Sequence, residues 1–130
     1  MELLFESRLC LGGISGKVSA VQGKAILHEE PVLVGDSEAD GSGASIYGSV
    51  VREAGVFRMW YQAWPKNWLG NDAALVGYAE SDDGIEWRKP KLVVGETNGP
   101  EGNLTNLGFH SPSVFVDPGQ QGKNRYRATG

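Results

Sequence analysis

Six short runs rich in β-branched and aromatic residues, each bounded by glycine, aspartate or proline, restrict this chain to a meander of antiparallel strands. The runs are Ile46–Arg52, Val56–Trp64 (VFRMWYQAW), Ala74–Ser81, Ile85–Arg88, Pro112–Asp117 and Arg125–Thr129. Helical periodicity is weak throughout, whereas alternation over runs of this length marks strands. The turns agree. Glu53-Ala54-Gly55 reads as a three-residue connection ending in the residue that tolerates a left-handed backbone. Asp83-Gly84 reads as a two-residue hairpin. Nineteen glycines and six prolines in 130 residues suit many short strands and turns better than long helices.

The simplest register aligns Val50, Arg58, Glu80 and Trp87 across four antiparallel strands, with Gly48, Trp60 and Tyr78 in the next row. Phe57, Met59, Tyr61, Leu75, Gly77 and Ala79 then fill the opposite face. A sheet with one wet face alternates apolar and polar residues. Both faces here carry large apolar side chains, so the unit is expected to be packed on both sides. Arg58 and Glu80 face each other as a structural ion pair within that stack, because buried charges are normally paired. Gly48-Ser49-Val50-Val51 echoes as Pro112-Ser113-Val114-Phe115, and Phe57-Arg58 as Tyr126-Arg127. A period above about 40 residues with four strands per repeat is the signature of propeller blades. The expected organisation is an N-terminal segment with an outer or closing strand over 1–45, a complete first blade over 46–90, and an inter-blade loop with an incomplete second blade over 91–130.

Composition narrows the partners. An apolar fraction of 40% is that of a folded chain. Net charge is −4 with no block of Lys or Arg, which argues against nucleic acid. No apolar run approaches the roughly 20 residues of a membrane span. Cys10 is the one cysteine, so it cannot form an intramolecular disulfide and does not report the compartment. Glu2 and Glu6 stand where an export signal wants positive charge, and Arg8 breaks the apolar run. Cytoplasmic and secreted locations both stay open.

Five segments carry a family likeness: GSVVREAGVFRMWYQAW, VGYAESDDGIEWRKP, NGPEGNL, HSPSVFVDP and RYRATG. Together they resemble the five-bladed β-propeller glycoside hydrolases, a group spanning invertase-like, arabinanase/xylosidase-like and mannoside-phosphorylase families. The most specific element, Ser81-Asp82-Asp83-Gly84-Ile85-Glu86-Trp87, is similar to the S-x-D-G-x-x-W hairpin repeated in those blades. In it Asp-Gly makes the turn, Asp82 bonds back to turn amides, and Trp87 wedges into the neighbouring sheet. The resemblance covers roughly residues 20–130. It implies an all-β chain that stops about one and a half blades into a propeller, and an oligo- or polysaccharide partner.

In the enzymes of that group the resemblance implies a catalytic carboxylate at the start of the first inner strand, an acidic residue in the next blade and a general acid further on. The inner strands here begin Ser45-Ile46-Tyr47-Gly48 and His110-Ser111-Pro112, with no Asp or Glu. Glycoside hydrolysis needs a carboxylate pair, so no catalytic residue is assigned and no turnover is expected of the chain alone. Two classes stay open: a carbohydrate-active enzyme to which this segment gives one wall of a funnel, and a non-catalytic glycan-binding or structural propeller.

The candidate ligand-binding residues are Tyr47, Trp64, Asn67, Trp68 and His110. Trp64, Asn67, Trp68 and Asn71 share the loop WPKNWLGND, where rings suit the apolar face of a sugar and amides suit its hydroxyls. Tyr47 and His110 begin corresponding inner strands, which in a propeller point into the channel. Asn98, Asn103 and Asn106 read as turn caps. Asn103-Leu104-Thr105 also fits a glycosylation acceptor. Asp36-Ser37-Glu38-Ala39-Asp40-Gly41 resembles the start of a calcium loop, but Tyr47 stands where the bidentate Glu belongs. No metal and no cofactor is therefore expected. Aromatic residues on both sheet faces, left uncovered, predict self-association.

Overall fold

The computed structural model describes residues 23–70, 75–92 and 102–130. These residues form an all-β structure of two antiparallel sheets. Strands β1 (Gly43–Glu53), β2 (Val56–Trp64), β3 (Leu75–Ser81) and β4 (Trp87–Arg88) make a four-stranded meander in the order β1-β2-β3-β4. Strands β5 (Ser113–Val116) and β6 (Tyr126–Thr129) make a hairpin whose connection ends in a single 3-10 turn over Gly122–Arg125.

The β2–β3 register is the expected one, with Arg58 opposite Glu80 and Trp60 opposite Tyr78. The two flanking registers are each shifted by one residue. Glu53 pairs with Val56, so the first connection is the two-residue turn Ala54-Gly55, and Val51 rather than Val50 faces Arg58. Both turn residues have positive φ, 50° and 85°, as a type I′ hairpin requires. At the other end Ser81 pairs with Trp87 and Glu80 with Arg88, so the connection is a five-residue loop rather than a two-residue hairpin. Its amides find closer acceptors than a tight turn would supply. Asp83 Oδ1 accepts the N–H groups of Ile85 and Glu86, and Ser81 Oγ accepts those of Asp83 and Gly84. Asp83, not Asp82, therefore organises the loop, and Asp82 pairs outward with Arg88 at 2.5 Å. The shift also moves Trp87 onto the face of Phe57 and Met59, where its Nε1–H donates to Gly84 O at 3.0 Å.

β1 carries a bulge. Ser45 faces Gln62 and Ser49 faces Trp60, so Ile46, Tyr47 and Gly48 stand against Tyr61 alone. Gly48 fits because any Cβ there would overlap the Trp60 carbonyl. A bulge re-aims side chains that a regular strand would bury or hide, and Tyr47 is 57% exposed on it.

Each face of the meander has its own core. On one, Trp60 and Val76 pack with Val114 of the hairpin, flanked by Val51, Tyr78, Leu107 and Tyr126. Ser49 Oγ–H donates to Pro112 O and accepts Val114 N–H, which sets β5 against β1. On the other, Met59, Tyr61, Ala63 and Ala79 pack under Leu33, Ala44, Leu75, Trp87 and Leu104. That second face is covered in part: Val32, Ile46, Val50, Phe57, Met59 and Trp87 line an open apolar groove. Packing on both sides thus holds near the centre of each face, with a groove between the sheets on one and an open apolar groove on the other. The Arg58–Glu80 pair is partly exposed and 3.9 Å long, not a buried bridge, and an exposed pair contributes at most about 1 kcal/mol. Glu80 instead accepts the Tyr78 hydroxyl at 2.6 Å.

Ala54 occupies a left-handed position that costs an L-residue with a bare Cβ about 1 kcal/mol and costs Asn less. Ala54→Asn should therefore raise the unfolding free energy by about 0.5–1 kcal/mol in urea melts, while Gly48→Ala should lower it. A stability unchanged or lowered by Ala54→Asn would contradict the type I′ assignment.

Candidate functional site

Trp64 closes β2 opposite Gly43, and its indole lies over the space a β-carbon at that glycine would enter. The chain then turns through Asn67, whose φ is 64°, and returns Trp68 to the same spot. Trp68 N–H is within hydrogen-bonding distance of Pro65 O at 3.0 Å and Ser42 Oγ at 3.2 Å, and Lys66 N–H donates to Glu38 O. The two indoles stand 5.8 Å apart at 51°. Asn67 is exposed beside them.

Tyr47, carried out on the bulge, meets His110 with ring centroids 5.6 Å apart at 39°. His110 is held by its neighbour. Its Nδ1 lies 2.6 Å from Ser111 Oγ, and Ser111, at φ 55°, donates its N–H to Gln62 Oε1. Gln62 is fully buried and gives its own amide to Leu75 O at 2.8 Å. Four of the five expected ligand residues thus fall into two aromatic pairs, and Asn67 lies between the two tryptophans in sequence. Both lie at the end of the meander where β1 starts, β2 ends and β3 begins. Asn71 and Asn98 lie outside the described residues, as does Cys10.

Exposed ring faces with hydroxyl, amide and imidazole neighbours suit a polar ligand with apolar faces, because aromatic rings combine apolar area with polar edges. Acid–base chemistry is another matter. Hydrolysis requires a carboxylate pair, and Glu38 in the adjoining turn forms an exposed ion pair with Lys66 at 3.0 Å.

A second cluster was not legible as such in the sequence. Asp40 is fully buried, and the turn from Asp36 to Gly41 folds around it. Its Oδ1 accepts Asp36 N–H, Ser37 N–H and Ser37 Oγ–H at 3.1, 3.0 and 2.7 Å. Its Oδ2 accepts the Tyr61 hydroxyl at 2.7 Å and Lys89 Nζ at 2.6 Å. Asn103 Nδ2 completes the chain, donating to Tyr61 Oη at 2.7 Å and Tyr78 O at 2.8 Å. Tyr61 reaches Asp40 across Gly77, where any side chain would collide with its ring.

This cluster resolves three sequence expectations. The calcium-like segment holds an ammonium group in place of a metal, since Lys89 also bonds Asp36 Oδ1 and Val34 O. Among the described residues no group of three or more His, Cys, Asp or Glu could hold a metal ion. Asn103 is 3% exposed, so it is neither a turn cap on the surface nor an accessible glycosylation acceptor. Asn106 lines a groove between the sheets with Tyr78, Glu80 and Tyr126. Lys89 borders a cleft with Trp87 and Asn103, yet its three protons are all engaged. The cluster is structural.

Comparison with protein-family models, with curated proteins and with solved structures finds no match to this chain.

Burial opposes the charge on Asp40, but the bonds from Lys89, Ser37 and Tyr61 outweigh it and hold the carboxyl down at about 2. Tyr61 is pushed up, first by burial and then by its bond to Asp40. A depressed folded-state value means stability that is present above the unfolded value of about 3.9 and lost as pH falls toward about 2. The melting temperatures of the natural chain and Asp40→Asn should therefore differ most above about pH 4 and converge on acidification. Tyr61→Phe, which removes one hydrogen bond from Asn103 Nδ2 and one from Asp40 Oδ2, should cost about 1–3 kcal/mol at neutral pH. A difference independent of pH would remove the charge from the account.

Proposed function

We propose that this chain is part of a carbohydrate-active β-propeller protein, glycoside hydrolase-like, and that its own share of the work is to bind glycans. The observation that carries the reading is the pair of exposed aromatic clusters, Trp64–Trp68 and Tyr47–His110, at one end of a meander sheet. A four-stranded meander facing a second antiparallel hairpin, with β5 set against β1, is the arrangement two neighbouring blades would have. The likeness of the Ser81–Trp87 hairpin and of the echoed inner strands supports a five-bladed member, of which this chain gives about one and a half blades.

A non-catalytic glycan-binding or structural propeller is the second reading. What favours it is that the inner strands begin Ser45-Ile46-Tyr47-Gly48 and His110-Ser111-Pro112 without an Asp or Glu. The first reading and the glycan-binding form of the second give the chain a carbohydrate partner, and neither calls for a metal or cofactor. The open groove over Val50, Phe57 and Met59 supports self-association of the isolated chain, which size-exclusion chromatography over a concentration series would register as a rising apparent mass.

A glycan array tests the reading directly. The folded chain should retain a defined subset of neutral oligosaccharides. Trp68→Ala and Tyr47→Ala should each weaken retention by about three- to tenfold, the size of one lost aromatic contact. A folded chain that retains no glycan, or binds equally after both substitutions, would overturn it.

A further inference from the structure

We infer that the groove between the two sheets binds a small, free organic cation of the quaternary-ammonium class, seated among the rings of Trp60, Tyr78 and Tyr126 and paired with Glu80. The inference stands apart from the glycan-binding reading and uses none of its residues.

Arg58 faces Glu80 and Trp60 faces Tyr78 across β2 and β3. Alternate residues of a strand share a face, so all four project from one side of the meander. That side meets the β5–β6 hairpin through Val114 and Tyr126. The two layers leave between them a groove of about 770 Å³, within the roughly 300–1,000 Å³ of small-molecule sites. Trp60 is 8% exposed and makes its floor. Tyr78 and Tyr126 flank that ring, with centroids 5.2 and 5.4 Å from its own and planes tilted by 60° and 52°. Glu80 stands beside Tyr78 on the same wall.

The charges decide what fits. Arg125 pairs with Glu53 at 2.6 Å, and Arg127 with Asp117 at 3.4 Å. Arg58 Nη1 donates to Glu53 O at 3.2 Å. Each arginine near the groove is thus committed, and Arg125 already lies over the Tyr126 ring at 5.2 Å. Glu80 is the exception. Its close bond comes from the neutral Tyr78 hydroxyl at 2.6 Å, while Arg58 stays 3.9 Å away. The groove therefore presents a carboxylate with no close cation among the described residues, next to three rings. Tyr78 and Tyr126 both donate their hydroxyls to carboxylates, which leaves their rings richer in electrons. A ring attracts a cation within about 6 Å of its centroid, and more strongly once that cation is desolvated. A trimethylammonium group meets these terms. Its methyls pack on the rings and on Leu107, and its charge answers Glu80 without needing a hydrogen bond. A primary ammonium needs acceptors that ring faces do not supply, and a neutral ligand leaves Glu80 unpaired.

Titration calorimetry on the whole chain with choline tests this, beside the neutral isostere that carries tert-butyl in place of trimethylammonium. Choline should bind at least about tenfold more tightly than the isostere. Glu80→Gln should weaken choline about three- to tenfold and leave the isostere unchanged. Glu38→Gln, which removes the same charge from an exposed turn outside the groove, should bind choline as the natural chain does. In heteronuclear NMR spectra, choline should shift the amide signals of Glu80, Leu107 and Tyr126. Both replaced side chains are at least partly exposed, and near-ultraviolet circular dichroism verifies that the variants fold. No binding of choline, equal affinity for the isostere, indifference to Glu80→Gln, or the same loss from Glu38→Gln would overturn the site. Retention on phosphatidylcholine vesicles without binding of free choline would overturn it too, by putting a lipid surface in place of a free ligand. None of these outcomes bears on glycan binding.

Discussion

The buried carboxylate of Asp40 is the point on which the rest of this structure depends. It accepts five hydrogen bonds, from the turn that contains it, from β2 and from the stretch after β4. A charge taken out of water is tolerated when its partners satisfy it fully, and removing one partner is far more costly than the net contribution of any single bond. The consequences spread along the backbone. Gly43 N–H donates to Asp40 O, Ser42 N–H to Trp64 O, and Lys66 N–H to Glu38 O. The turn that Asp40 organises thus holds the loop bearing Trp68. Through Tyr61 the same network reaches Asn103, and Tyr78 N–H and Thr105 N–H lock the 103–105 segment along the edge of β3. The loop that carries Trp68 therefore sits on a frame set by a buried carboxylate.

The second constraint is geometric. A regular β1 would give Tyr47 no reason to leave the sheet. The bulge adds two residues opposite Tyr61, and the missing side chain at Gly48 lets the backbone pass the Trp60 carbonyl. On the same strand Ser49 ties β5 into place and so delivers His110 to Tyr47. Left-handed backbone occurs at Asn67, beside Trp68, and at Ser111, beside His110. Such strain persists only where the surroundings over-determine it, and it concentrates at binding sites.

Much of the fold could be read from the chain because strands of this kind announce themselves locally. Alternation in VFRMWYQAW and the glycine turns around it give the meander and the β2–β3 register directly. The two flanking registers slipped by one for local reasons of a subtler kind. Ala54 adopts a conformation usually left to Asn or Gly, and Asp83 recruits two amides further along its loop, enlarging a turn that Asp-Gly would otherwise close in two residues. What could not be read is what depends on distant partners. Nothing near Asp40 announces Tyr61, 21 residues away, or ties Tyr61 to Asn103, a further 42 along. For that reason the Asp36–Gly41 segment only resembled the start of a calcium loop, and Asn103 read as a turn cap. Trp64, Asn67 and Trp68 were legible as loop aromatics and an amide, and Tyr47 and His110 as residues that begin inner strands. Their pairing across the sheet end was not, since Ser111 and Gln62 produce it over 49 residues of sequence.

The central claim is that the Asp40 network makes the N-terminal turn, the meander and the 103–105 segment a single cooperative unit. Native-state hydrogen exchange measures this most directly. The amides of Ser37, Gly43, Tyr78 and Thr105 should exchange with one common free energy, equal to that of the β2 amides, because they open only when the whole unit unfolds. Fast exchange at Ser37 and Thr105 beside a protected β2 would show that the turn and the segment open independently, and would contradict the account.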